Sequence, residues 1–207
     1  MLDKYASFAE LAARERHGQD YRICALERAG SRVIVLAPHG GGIEIGTSEI
    51  AAMVAGADHS LFVFEGLKPY GANRDLHITS HRFDHPHCLA LTSAHEVTLA
   101  IHGCRGDSQI FVGGLDGDLT ACLAKHLTGA GLAASRDGHG YPGRHPLNIC
   151  NRGARGRGAQ LEITRDLRTE EARPIVANAV RSALEDYLAS VELTERQSPR
   201  ELTPAWL

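Results

Sequence analysis

Two stretches of the 207-residue chain are built alike. Residues 33–42 read VIVLAPHGGG and residues 97–106 read VTLAIHGCRG. Each is an apolar run of strand composition that ends in a His–Gly pair, His39–Gly40 in one and His102–Gly103 in the other. In open α/β sheets, ligands bind just beyond the carboxyl ends of the strands, so both imidazoles belong on the functional edge. The glycine after each histidine lets the backbone turn tightly and leaves the ring uncovered. If the two strands are neighbours, the rings converge. Glu44 follows His39 by five residues across a glycine-rich loop and can swing back toward the same point. Two histidines and a carboxylate form a catalytic type of zinc donor set, which leaves a fourth position for water. The spacing is not that of H-E-x-x-H. The competing reading is a pair of strand-end histidines satisfied by backbone carbonyls.

Glu162 lies in AQLEIT, where Leu161 and Ile163 face one way and Gln160, Glu162 and Thr164 the other. An ionised Glu in mid-sheet is expensive unless paired or protonated, and one held near an activated water is a good general base. The alternative is a Glu on a solvent-exposed edge strand. Upstream, NICNRGARGRG (148–158) sets Arg152, Arg155 and Arg157 among glycines and offers guanidinium and backbone N–H groups to an anion. Asn148, Asn151 and Arg152, on the ordered side beside Ile149 and Cys150, are its better candidates. Arg155 and Arg157 read equally well as part of a solvated loop. LHITSHRFDHPH (76–87) holds four histidines. It reads as a rim loop of the same cleft with His77 facing in and His81, His85 and His87 partly exposed. A second metal site there is the lesser reading.

The elements that must position these groups follow from periodicity. A short helix is expected over 4–16, with Tyr5, Phe8, Leu11 and Ala12 on one face. Strand-like runs occupy Tyr21–Leu26, 32–37, 60–64, 89–92, 97–101, 109–112, 131–135 and Ala159–Thr164. Helical patterns cover 48–55, 115–127 and 169–192. Several strands are near-continuous apolar runs, which argues for a sheet covered on both faces. The expected fold class is therefore α/β, a single domain with a mixed, largely parallel sheet and helices on both faces. The domain is expected over 1–193. A tail follows over 194–207, with two prolines, mixed charge and Trp206.

Composition bounds the function. Lys and Arg total 22 against 25 Asp and Glu, a net charge of −3. That balance, five Tyr, five Phe and no recognisable binding motif argue against a nucleic-acid partner. Twelve histidines raise the expectation of a metal or catalytic site. The five cysteines are scattered and never in C-x-x-C spacing, so neither a disulfide framework nor a thiolate zinc knuckle is expected. The N-terminus shows no apolar h-region, and no window reaches the ~18 apolar residues of a membrane helix. The expected setting is cytoplasmic, with no membrane partner.

PHGGGIEIGTSEIA (38–51), LHITSHRFDHP (76–86), AIHGCRG (100–106), VGGLD (112–116) and NICNR…GAQLEIT (148–164) occur in the order found in the phage-type poly-γ-glutamate hydrolases. Members of that family have also carried the label of phage-related replication proteins. The resemblance extends to about residue 193 and does not cover the tail. It implies a zinc peptidase-like fold similar to the zinc carboxypeptidases, one zinc ion per chain, and hydrolysis of γ-glutamyl amide bonds in a polyanionic substrate. Carried over by motif, the zinc ligands fall on His39, Glu44 and His102, and the general base on Glu162. Arg152 is then expected at the oxyanion, and Arg74, His77, Asn148 and Asn151 at the substrate carboxylates. If the chain is phage-encoded, release by lysis is an expected route out of the cell. Two alternatives stay open. One is a zinc amidohydrolase for another γ-glutamyl or N-acyl amino acid amide. The other is a non-enzymatic, nucleic-acid-binding replication accessory protein. Neither oligomeric state nor endo or exo cleavage follows from the residues.

Overall fold

The structure is a computed structural model that describes residues 3–197. Its centre is a seven-stranded sheet: β1 Tyr21–Leu26, β2 Val33–Gly41, β3 Ser60–Gly66, β4 Val97–Cys104, β5 Ile110–Gly114, β6 Ala134–Ser135 and β7 Ala159–Thr164. The spatial order is β1-β3-β2-β4-β7-β5-β6. Strands β3, β2, β4 and β7 form a parallel centre. β1 joins β3 antiparallel at one side and β5 joins β7 antiparallel at the other. The sheet is thus mixed and largely parallel, as expected for near-continuous apolar strands.

Alternate residues of each central strand feed two separate cores. Val33, Val35, Leu99, Ile101, Leu161 and Ile163 pack beneath three helices, α2 Thr47–Ala55, α4 Gly117–Gly129 and α5 Arg173–Gln197. Ile34, Leu36 and Ala100 face the other way, toward Leu11 of α1 (Phe8–Ala12), Cys88 and Leu91 of α3 (Pro86–Ser93), and Ile78, Phe83 and Ile149 of the connecting loops. Both faces are covered, so the interior strands need no polar alternation. Along β4 and β7 this second face carries His102 and Glu162 at its carboxyl end.

Several elements differ from the sequence expectation, among them β6, which keeps only Ala134–Ser135 of the run expected over 131–135. Residues 89–92, expected as a strand, lie in α3. Pro86 sits in the first turn, where its missing N–H costs nothing, and His85 Nδ1 accepts the Cys88 N–H. A short apolar run does not separate strand from buried helix by itself. The first helix is five residues, started by the Ser7 hydroxyl accepting the Glu10 N–H. Before it, residues 3–7 are non-helical and pinned by long-range bonds. α4 begins two residues later than expected because Asp116 caps it, its carboxylate accepting the Leu119 N–H. α5 starts at Arg173, with Pro174 in its first turn, and continues to Gln197, past the expected end of the domain. Trp206 and the rest of the tail beyond residue 197 lie outside the described residues. Among the described residues no helix is long and apolar enough to cross a membrane.

Candidate metal centre

β2 and β4 are direct neighbours, with Val33 to Leu36 paired to Val97 to Ala100. This adjacency brings the two His–Gly ends together. On the other side of β2, pairing with β3 shifts register between Ala37 and Gly40. Such an irregularity re-aims a side chain at a sheet rim. Gly40 is required there, since a Cβ would stand 2.3 Å from Ser48 Oγ and 2.9 Å from Val63 Cγ1. The loop then folds back, with the Glu44 N–H donating to His39 O at 2.9 Å. That turn delivers the Glu44 carboxylate to the same point.

His39 and His102 are buried, 2% and 1% exposed. Their Nδ1 atoms stand 3.1 Å apart. Glu44 Oε1 is 3.2 Å from His39 Nδ1, and Oε2 is 3.9 Å from His102 Nδ1. The Gly103 N–H donates to Oε2 at 2.7 Å. The opposite ring nitrogens are engaged elsewhere. His39 Nε2 lies 2.8 Å from Ile78 O, and His102 Nε2 lies 3.3 Å from Ser80 Oγ. Metal-ligating histidines characteristically donate their second N–H to such acceptors, which fixes the tautomer. With Nε2–H facing a carbonyl and a hydroxyl, both Nδ1 lone pairs point into the same gap beside a carboxylate. Two facing lone pairs at that distance repel unless a proton or a cation lies between them. The donor set therefore fits a divalent cation of the zinc type, tolerant of imidazole and carboxylate together.

The electrostatics of the bare cluster agree. Burial lowers the His39 imidazole, but the charge and hydrogen bond of Glu44 outweigh it and hold His39 above its ordinary value. Burial raises Glu44, and the adjoining His39 more than reverses this, to about 2. Burial and the charge of His39 push His102 down to about 3. Below that raised value of His39, its proton stands where a cation would.

A second imidazole adjoins the cluster. His39, Glu44 and His77 each offer a ligand-capable atom within 4.8 Å of the others. The His77 ring stacks on His39 with centroids 4.1 Å apart. His102 Nδ1, at 3.1 Å from His39 Nδ1 and 3.9 Å from Glu44 Oε2, lies against the same two groups, whereas His77 Nδ1 is 2.8 Å from the Asp3 carboxylate.

Glu162 sits beside His102 in register on neighbouring β7. Burial, then the negative charge of Glu44, raises its carboxyl to about 8, against the pull of His39 and Arg168. Gln160 Nε2 approaches Glu162 Oε1 at 3.4 Å. The edge-strand reading of Glu162 does not apply, since β7 is flanked by β4 and β5.

The remaining candidates are spread out. Asn151 Oδ1 accepts from Leu115 N–H and Gly158 N–H, and its Nδ2 donates to Gly143 O and His145 O. All four hydrogen-bonding capacities are spent on backbone, so Asn151 clasps loops together. Asn148 Nδ2 donates to Gln160 Oε1 at 2.8 Å, one residue pair away from Glu162. Arg74 is exposed on a 3-10 turn, Ala72–Leu76. Arg152 ends the turn at Ile149–Asn151, and its charge acts on the Cys88 thiol. Arg155 Nη1 donates to the Tyr187 hydroxyl, and Arg157 pairs with Asp116, so both are tied to the helical layer. His81 and His87 are exposed, but His85 is buried because it caps α3 and its ring meets that of Phe8 at 4.2 Å.

Two residues at the site escaped the sequence reading. Arg168 is 8% exposed, donates to Ile163 O at 3.0 Å and to Ile45 O, and its charge acts on Glu44 and Glu162. Gly103 makes room for it, since a Cβ there would meet Arg168 Cζ at 2.6 Å. Tyr141 packs on Phe111, the register partner of Glu162, with centroids 5.4 Å apart. Burial, then the neighbouring Cys104, Glu162 and Glu44, raises its hydroxyl. Nothing local marked either residue.

The fold is thus a parallel-centred α/β sheet with two histidines and a carboxylate gathered at adjoining strand ends. The family model described as poly-gamma-glutamate hydrolase matches residues 5–180, and the chain belongs to that family. It is 41% identical over 172 residues to the SPbeta prophage-derived UPF0714 protein YoqZ of Bacillus subtilis (strain 168). That match covers 81% of this chain and 61% of YoqZ, so the chain spans about three fifths of that relative. Among solved structures, a bacteriophage poly-gamma-glutamate hydrolase superposes with a TM-score of 0.87 at 31% identity, covering 91% of this chain and 100% of that one. Zinc-free YndL superposes with a TM-score of 0.80 at 36% identity, covering 92% and 99%. A putative carboxypeptidase A from Shewanella denitrificans OS-217 shares the fold, with a TM-score of 0.52 at 12% identity over 81% of this chain and 61% of that one.

Proposed function

We propose that this chain is a zinc-dependent hydrolase of γ-glutamyl amide bonds acting on poly-γ-glutamate. The observation that carries the reading is the convergence of His39 Nδ1, His102 Nδ1 and Glu44 within 3.9 Å, one strand away from Glu162. His39, Glu44 and His102 would hold one zinc ion. When bound, the ion supplies Lewis acidity, which polarises an amide carbonyl and lowers the pKa of water. Glu162 takes the proton of the attacking water and hands it to the leaving nitrogen. Burial raises its carboxyl in the metal-free chain, and a base held in such a setting both accepts and returns a proton. Arg168 places a fixed positive charge beneath Glu44 and Glu162, and we assign the balancing of negative charge at the reacting centre to it instead of Arg152. Arg74, Arg152, His77 and Asn148 are the side chains proposed to meet the carboxylates and amides of an extended polyanionic chain. Ser80, beside His102 Nε2, fixes the ring that holds the ion.

Elemental analysis of the purified chain tests the centre. About one zinc per chain is expected for a one-ligand-set site, and His39→Ala should lose it. Mass spectrometry of products from poly-γ-glutamate and a panel of γ-glutamyl and N-acyl amino acid amides tests the substrate. Cleavage confined to non-γ-linked amides would overturn the substrate class while leaving the metal centre standing.

A further inference from the structure

Asp3 lies outside the family-matched segment, which begins at residue 5. Its side chain is nevertheless only 3% exposed. Oδ2 accepts the Thr79 backbone N–H at 2.8 Å, and Arg82 Nη2 stands 3.7 Å from the same oxygen. Oδ1 is 2.8 Å from His77 Nδ1. The segment is fastened on either side, by Lys4 to Asp75 at 2.8 Å and by the Phe8 N–H to Asp84 at 2.6 Å. Burial raises the Asp3 carboxyl, but its bonds to Thr79 and His77 outweigh that and leave it below its ordinary value.

An ionised carboxylate can only accept, so His77 Nδ1 must be the donor. The proton of the neutral ring is then fixed on Nδ1 and Nε2 is left bare. Nε2 has no hydrogen-bond partner among the described residues, and the His77 side chain is 33% exposed. The ring lies flat against His39. A bare, rigidly held acceptor therefore stands at the lip of the metal-ligand cluster, set there by a carboxylate 74 residues away in sequence.

We propose that Asp3 is a positioning residue of this site, acting through His77, whose bare Nε2 accepts a hydrogen bond from an amide N–H of the bound γ-glutamyl chain. The proposal rests on the substrate reading above. Carboxylate partners of metal-ligating histidines typically matter by 10- to 100-fold, and we expect the same order for a histidine stacked on a ligand. Replacing one by its amide acts through the wrong tautomer, as the Ser-His-Asp triad illustrates. Asp3→Asn should do the same here. The amide oxygen must stay on the Thr79 N–H, so the NH₂ group faces His77 Nδ1 and drives the ring proton to Nε2.

The test is ¹⁵N NMR of the histidine rings in the full chain, with kinetics on the zinc-loaded protein. The wild type should show His77 protonated at Nδ1, and Asp3→Asn should show it at Nε2 with zinc content unchanged. The kcat/KM for poly-γ-glutamate should fall about 10- to 100-fold, and Asp3→Asn should cost nothing more in a His77→Ala background. An unchanged tautomer, or an equal loss in that background, overturns the proposal. A second measurement needs no variant. Titrating zinc-free wild-type protein with a γ-linked glutamate oligomer should shift the His77 Nε2 resonance, and silence at saturation sinks the substrate contact. A wild type that binds the oligomer through His77 and cleaves no γ-glutamyl bond would instead overturn the function proposed above, so the two failures are distinguishable.

Discussion

A proton on His39 and a cation compete for the gap between His39, His102 and Glu44, and the consequence is a linkage. His39 is held above its ordinary value by Glu44, so below that raised value its proton must leave before a cation enters. Zinc affinity should therefore rise with pH through that window and flatten above it. Calorimetry of zinc binding in buffers of different ionisation enthalpy should detect the released proton. Glu162 is separable from this cluster because it contributes no ligand. Glu162→Gln keeps size and the hydrogen bond from Gln160, so it should retain stoichiometric zinc and lose about 10²- to 10⁴-fold in kcat, the usual weight of a general base. Full activity in that variant, with zinc bound, would remove Glu162 from the reaction.

At the scale of elements, the glycines that end β2 and β4 matter by what they admit. Arg168 occupies the space that a side chain on Gly103 would fill, and its guanidinium is clasped by Ile163 O and Ile45 O. Gly103→Ala must displace a group that has nowhere to go. It should destabilise the fold by about 1–3 kcal/mol, the usual cost of overpacking. It should also weaken zinc binding, because the same residue donates its N–H to Glu44. Denaturant unfolding and zinc titration of this variant check both. The strand periods and the His–Gly ends were legible in the sequence, since each strand carries its apolar run within a few residues. Helix α3 was not, because the short run Leu89, Ala90, Leu91 fits either period and Pro86 with the His85 cap decided between them. The reach of α5 past residue 192 was likewise hidden, since its last turns are polar on most faces.

For the molecule as a whole, the N-terminal segment is held by a buried ionic contact. Glu15 is 9% exposed, pairs with Lys68 at 2.6 Å and accepts from the Tyr5 hydroxyl. Burial raises its carboxyl, but Lys68 and Tyr5 outweigh that and leave it below its ordinary value. A depressed carboxyl stabilises the fold fully above its unfolded value and loses that contribution as pH falls through the folded one. Thermal stability should accordingly fall as pH drops below about 4.5. Glu15→Gln should cost about 2 kcal/mol near neutrality, where Lys68 is left unpaired. The variant should also flatten that acid slope. A variant with the wild-type pH dependence would show that Glu15 does not govern the acid limb.

The types of group and their placement at strand ends were determined by sequence alone. A His–Gly after each apolar run, a carboxylate five residues on and an alternating Glu are local patterns, and local patterns fix which face and which end of a strand a residue occupies. Which strands are neighbours is decided by how the two layers of helices pack on the sheet. That choice alone set β2 beside β4 and β4 beside β7, and so turned three separate motifs into one cluster. It also brought in partners with no local signature: Arg168 beneath Gly103, Tyr141 beside Phe111, and Asp3 against His77. Contacts between residues far apart in the chain form only when the chain has closed on itself, so no window of sequence could contain them.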